Sequence, residues 1–215
     1  MDAMRRDQGS YLRDPAAIYR ESFAAIRREA PLDRLPEDLR PVALRLIHAC
    51  GMADIVADLA WTADAAGAGR AALRAGAPIL VDATMVRAGI RRSARANPIL
   101  CTLEDEATTA RAAACATTRS AAAVDGWRSR LEGAVVAIGN APTALFRLLE
   151  LLADGAPRPA LVLGFPVGFI GAAEAKDALI AHRPQVAHIT LRGRRGGSAM
   201  AAAALNALLD DDPLA

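Results

Sequence analysis

From residue 77 onward, short apolar runs alternate with helical stretches, and this alternation restricts the possible folds more than any other feature of the chain. Runs at 77–81, 98–103, 134–138, 160–163 and 186–191 have the length and composition of buried strands. Between them lie a long Ala/Thr stretch at 104–127, a segment from Pro142 through Leu152, a segment ending near Ala181, and a final alanine-rich segment after Ser198, all helical in pattern. Strands separated by helices need crossover connections. That predicts an α/β fold: a mostly parallel sheet with helices on both faces. A helical N-terminal segment precedes it. Asp14-Pro15 reads as an N-cap followed by Pro at the first helical position, and Ile18, Ser22 and Ile26 recur at helical spacing. A second helix is expected from Pro36 or Pro41 to Cys50, stopped by Gly51, and a third over 64–75, stopped by Gly76. No repeat or linker divides the 215 residues, so one domain is expected over 1–215 with its ordered core at about 11–209.

Composition restricts the function. Apolar residues make up 53% and aromatic residues 4%, so the core must come from Ala, Leu, Ile and Val. A net charge of +2 argues against a general attraction to nucleic acid or membrane surfaces. The kind of positive charge says more: Lys176 is the only lysine, and every other basic residue is arginine. Codon bias accounts for much of that, yet arginine is also the residue that holds a carboxylate in a bidentate fork. Cys50, Cys101 and Cys115 stand far apart with no C-x-x-C pair, which indicates neither a disulfide framework nor a zinc site and fits a reducing cytoplasm. Residues 1–10 lack the apolar stretch of a signal peptide, and the uncharged run at 160–173 is too short to span a bilayer.

In open parallel sheets ligands bind beyond the carboxyl ends of the strands. Those ends carry Asp82-Ala83-Thr84-Met85, Gly139-Asn140-Ala141-Pro142-Thr143, Gly164-Phe165-Pro166-Val167-Gly168 and Arg192-Gly193-Arg194-Arg195-Gly196-Gly197-Ser198. No G-x-G-x-x-G follows a strand and no phosphate-binding G-x-x-x-x-G-K-[ST] occurs, so a nucleotide site is weakly supported. The last loop, with three arginines beside three glycines, suits carboxylates or phosphates. Of three histidines, His182 falls in a helix-end loop and His188 inside a strand run. His48 lies at a helix terminus with Arg45 on the same face. The helix end favours the imidazolium and Arg45 opposes it. On the residues alone the reading stops at an α/β domain that binds a polyanion, with His48 either structural or acid–base.

Several segments together resemble one family, the precorrin-8X methylmutases. They are Tyr19-Arg20-Glu21-Ser22-Phe23, the Arg45–Gly51 segment RLIHACG, Ala75-Gly76-Ala77-Pro78-Ile79, and Thr118-Arg119-Ser120-Ala121-Ala122. GNAPTAL at Gly139–Leu145, GFPVGF at Gly164–Phe169, GAAEAKDAL at Gly171–Leu179 and RGRRGGSAM at Arg192–Met200 complete them, in the family's order. The resemblance implies an isomerase of cobalamin biosynthesis that moves the ring C methyl of precorrin-8X from C11 to C12, giving hydrogenobyrinic acid, without a cofactor or metal. It implies that His48 is the acid–base residue and that Ser22 and Arg119 lie at the substrate. Asn140, in the GNAPTAL stretch, joins the expected substrate-binding set. Arg45, Arg91 and Arg192 join it on charge and placement, and the roles of Asp82 and Thr84 stay open. The resemblance further implies a homodimer with the site near the subunit contact, and hand-over to neighbouring enzymes of the pathway. Two alternatives remain: the cobalt-precorrin-8 methylmutase of the anaerobic route, and a non-catalytic corrinoid carrier, which has no need of an acid–base histidine.

Overall fold

The apolar runs form the centre of a six-stranded sheet in a computed structural model that describes residues 11–91 and 97–210. The reading of residues 1–10 lies outside the described residues. In chain order the elements are α1 (Pro15–Glu29), α2 (Arg40–Cys50), β1 (Leu59–Trp61), α3 (Ala65–Arg74), β2 (Ile79–Val81), α4 (Thr84–Gly89), β3 (Ile99–Leu100) and α5 (Glu106–Ala114). There follow α6 (Arg119–Asp125), β4 (Val135–Ile138), α7 (Pro142–Ala153), β5 (Leu161–Gly164), α8 (Ala172–Ala181), β6 (His188–Leu191) and α9 (Ser198–Leu209). The sheet order is β1-β6-β5-β4-β2-β3, parallel throughout except for β1, which runs antiparallel to β6 with Ala60 opposite Thr190.

Both faces of the sheet are covered, and the period-two alternation of the strands sorts their side chains between two cores. Ile79, Val81, Val135, Ala137, Leu161 and Leu163 join the cluster built with α2, α3, α4 and α9. Leu80, Val136, Ile138 and Val162 point the other way, into a cluster with α6, α7 and α8. α9 is buried along most of its length, sandwiched between the sheet and α2. This explains its alanine content: small side chains let two layers approach a helix from opposite sides. α1 lies outermost, against α2.

The structure differs from the sequence reading at four places. β1 was not anticipated; a three-residue edge strand carries too little pattern to stand out. Residues 84–89, for which the sequence reading names no helix or strand, form the short helix α4. The 104–127 stretch is two helices, α5 and α6, parted at Ala116, whose φ of 48° lies in the left-handed region. On α1, Ser22 and Ile26 of the expected stripe face inward, but Ile18 is 45% exposed and Phe23 is the buried residue. Other boundary signals are as read. Asp14 caps α1 by accepting from the N–H groups of Ala16 and Ala17, and Gly51 closes α2 at φ 70°.

Candidate active site

His48 sits in the last turn of α2 with its imidazole exposed. α1 fixes the ring from outside: Ser22 Oγ lies 3.0 Å from His48 Nδ1. Phe23 stacks on the imidazole at 4.9 Å between centroids and 22° between planes, and Tyr19 meets it edge-on at 5.7 Å. The helical spacing of Tyr19, Ser22 and Phe23 puts all three on the α1 face that meets α2. With Nδ1 engaged by Ser22, Nε2 is the ring nitrogen left for proton exchange. Beside the pair is a cavity of about 220 Å³, lined by Ser22, Ile26, Glu29, Ile47, His48 and Gly51.

Arg45 lies one turn before His48 and is buried. Its Nη1 donates to the Tyr19 hydroxyl and its Nη2 to Asp210 Oδ2 at 2.8 Å. Its guanidinium carbon lies 5.4 Å from the Tyr19 ring centroid and 5.3 Å from that of Phe23. Arg91 pairs with the same carboxylate oxygen of Asp210, while its backbone N–H donates to Asn206 Oδ1 at 2.9 Å. The Arg91 side chain is half exposed.

Asn140 and Arg192 fall at strand ends, and Arg119 at the junction of α5 and α6. Asn140 is exposed in the turn after β4, and that turn is organised by Asp82, which is fully buried at the end of β2. Asp82 Oδ1 accepts from the Gly139 N–H at 2.9 Å, and Oδ2 accepts from Asn140 and Ala141 at 2.9 and 2.8 Å. Burial pushes the Asp82 carboxyl up, and the three N–H donors pull it back. Arg119 opens α6 with its side chain exposed, and the Thr118 hydroxyl that caps this helix meets Thr143 Oγ1 of α7 at 2.8 Å. Arg192 is exposed after β6, with Asp177 Oδ1 at 3.8 Å. In the same loop Arg195 pairs with Asp54 and Asp58, and the buried Lys176 donates to the Arg195 carbonyl at 2.7 Å. Burial lowers Lys176 to about 8. Gly196 is required here because a Cβ would stand 2.4 Å from the Phe165 carbonyl oxygen.

The structure therefore joins Ser22 to His48, and Arg45 to Arg91 through Asp210. Asn140 and Arg192 stand apart on the loops after β4 and β6, and Arg119 at the start of α6. The His48 pair belongs to α1 and α2, which follow no strand, so the strand-end expectation missed it. Tyr19, Phe23 and Asp210 were not singled out either. The i, i+3, i+4 spacing of Tyr19, Ser22 and Phe23 was a usable signal, whereas Asp210 is 162 residues from His48 and left none. His188 is buried with Nδ1 3.0 Å from the Val186 carbonyl, and burial lowers its pKa. Among the described residues no cluster of His, Cys, Asp and Glu forms a metal site, and no helix is long and apolar enough to cross a membrane.

Comparison with known proteins points to one family. The sequence model of the family described as precorrin-8X methylmutase matches residues 17–211. A precorrin-8X methylmutase of Pseudomonas aeruginosa is 59% identical over 200 residues, covering 92% of this chain and 96% of that protein. A cobalt-precorrin-8 methylmutase of Priestia megaterium is 34% identical, covering 90% and 87%. A crystal structure of the precorrin-8X methylmutase from Thermus thermophilus superposes with a TM-score of 0.82 at 41% identity, over 90% of this chain and 94% of that one. With a family match along nearly the whole described chain and a shared fold, this chain belongs to the precorrin-8X methylmutase family, the isomerases of cobalamin biosynthesis.

Proposed function

We propose that this protein converts precorrin-8X to hydrogenobyrinic acid by moving the ring C methyl from C11 to C12, with His48 as the acid–base residue. The observation that carries the assignment is the Ser22–His48 pair: an exposed imidazole beside a cavity, held through Nδ1 and oriented by two aromatic rings. His48 Nε2 gives a proton to the macrocycle at ring C, which draws electron density into the ring and eases departure of the methyl from C11. As the rearranged product relaxes, the proton returns to the imidazole. The rearrangement is intramolecular, so the protein's contribution is positioning and charge stabilisation.

The acetate and propionate fringe of the substrate is matched by exposed arginines. Arg119 and Arg192 offer guanidinium forks, Asn140 offers an amide, and the half-exposed Arg91 has N–H groups beyond those on Asp210. The cavity at His48 is too small for the whole ring, which supports a homodimer in which the rest of the ligand is enclosed near the subunit contact. Higher identity to a precorrin-8X methylmutase than to a cobalt-precorrin-8 methylmutase favours the ring without cobalt.

The test is an absorbance assay of the purified protein with precorrin-8X, with and without cobalt in the ring. His48→Ala should bind ligand and lose about 10²–10⁴-fold in turnover, the usual contribution of a positioned acid–base group. Turnover at the wild-type rate in that variant rules out the assignment. Binding without turnover in the wild type would instead identify a carrier.

A further inference from the structure

An exposed histidine has no packing of its own to hold it, so the geometry of His48 must be imposed by what it touches. Three contacts do so directly. Ser22 takes Nδ1, Phe23 supplies a flat surface under the ring, and Tyr19 meets it edge-on. None is self-supporting, because all three residues sit on α1, the outermost helix, whose neighbour is α2. What lies behind the two rings is the Arg45 guanidinium, 5.3 and 5.4 Å from their centroids, with a further hydrogen bond to the Tyr19 hydroxyl.

A buried guanidinium needs an anion, since an uncompensated charge in this setting would be driven toward water. Arg45 Nε is buried and has no hydrogen-bond partner among the described residues, so the cation depends on its two terminal nitrogens. One meets a neutral hydroxyl. The other meets Asp210, just past the end of α9, the only carboxylate paired with Arg45 among the described residues. Arg91 binds the same Asp210 oxygen and so helps to hold the carboxylate in place. The result is a continuous line of contacts: Asp210 to Arg45, Arg45 to the Tyr19 and Phe23 rings, and the rings to the imidazole.

We propose that Asp210 and Arg45 are positioning residues for His48, holding the aromatic pair that keeps the imidazole on Ser22. Arg45 acts from behind the reacting group rather than on the substrate fringe, because its side chain is buried and its terminal nitrogens face Tyr19 and Asp210 within the chain. The assignment of an orienting role presupposes that His48 is the acid–base residue proposed above, but the geometry it predicts is measurable without substrate.

The experiment has two arms on the full chain. In the first, long-range ¹H–¹⁵N spectra of the His48 ring are compared in wild type, Asp210→Asn and Arg45→Gln. The ring is assigned by its loss in His48→Gln, at a pH high enough to give the neutral imidazole. One tautomer should dominate in the wild type, with well-separated ring nitrogens, and the separation should shrink in both variants. Asp210→Asn keeps the side-chain size and the backbone cap on α9, and Asp210→Glu should restore the wild-type pattern. In the second arm, Asp210→Asn should lower kcat by about tenfold or more with KM within about twofold, the pattern of a group misplaced in the transition state. Unchanged ring spectra in folded Asp210→Asn and Arg45→Gln would overturn the proposal, as would a kcat equal to wild type. If the wild type itself does not turn over, the functional assignment fails while the spectra still decide the positioning role. If Asp210→Asn does not fold, Arg45→Lys replaces it in both arms, with the same expected and overturning results.

Discussion

At the scale of single residues, the most informative side chain is one whose sequence context left its role open. Asp82 ends β2 fully buried, and its carboxylate accepts three backbone N–H groups from the turn that carries Asn140. Its work is to shape that turn. Asp82→Asn keeps the size but offers one acceptor oxygen and turns an NH₂ group toward backbone donors. We expect a loss of about 1–3 kcal/mol for each donor left unsatisfied, read as a lowered midpoint in thermal or urea unfolding. An unchanged midpoint would mean the turn holds its shape without the carboxylate. Asp82 at a strand end was visible in the sequence. That it faces inward onto three amides was not, because those amides come from residues 57 to 59 positions away.

At the scale of elements, the strands were legible and the breaks were not. The β4 run is β-branched and central, so local preference and tertiary burial agree. β1 is three residues long and exists because it can add to the edge of β6. The α5–α6 region reads as one helix because Ala and Thr carry no stop signal, yet the chain turns at Ala116 with a left-handed backbone. That conformation costs an L-residue roughly 1–2 kcal/mol, part of which glycine recovers at the expense of a more flexible unfolded chain. Ala116→Gly should therefore raise stability by about 0.5–1 kcal/mol in chemical denaturation. A loss instead would show that the methyl group makes a contact that outweighs the strain. On α1 the helix itself follows from Asp14 and Pro15, but its inward face follows from α2. Only with that partner in place does the face become Tyr19, Ser22 and Phe23 rather than Ile18.

For the whole molecule, the single lysine links stability to pH. Lys176 is fully buried with its ammonium on the Arg195 carbonyl, and burial lowers it from 10.5 to about 8. Between those values the unfolded chain binds more protons than the folded one, so this group makes stability rise with pH across the window and adds no slope below it. Relative to Lys176→Met, wild-type stability should rise by on the order of 3 kcal/mol between about pH 8 and about pH 10.5. Parallel curves for the two proteins would show that the buried ammonium titrates normally. Assembly belongs to this scale too. Sedimentation velocity at micromolar concentration should report a dimer, and a monomer there would leave the small cavity at His48 to hold its ligand edge unaided.

The sequence by itself determined the α/β class, the parallel sheet covered on two faces, and the N-terminal helices. Periodicity, caps and stops act over a few residues, and burial reinforces them. It also carried the family motifs, and with them the isomerase and His48. The tertiary structure alone decided what surrounds that histidine. Ser22 and Phe23 reach it across the α1–α2 contact, and Arg45 is held behind them by Asp210 from the far end of the chain. Hydrogen bonds and ring contacts act over a few ångströms between residues remote in sequence, so no local pattern encodes them. His48 was readable as a candidate acid–base residue through the family resemblance; the stack around it became visible only when the last helix was laid against the second.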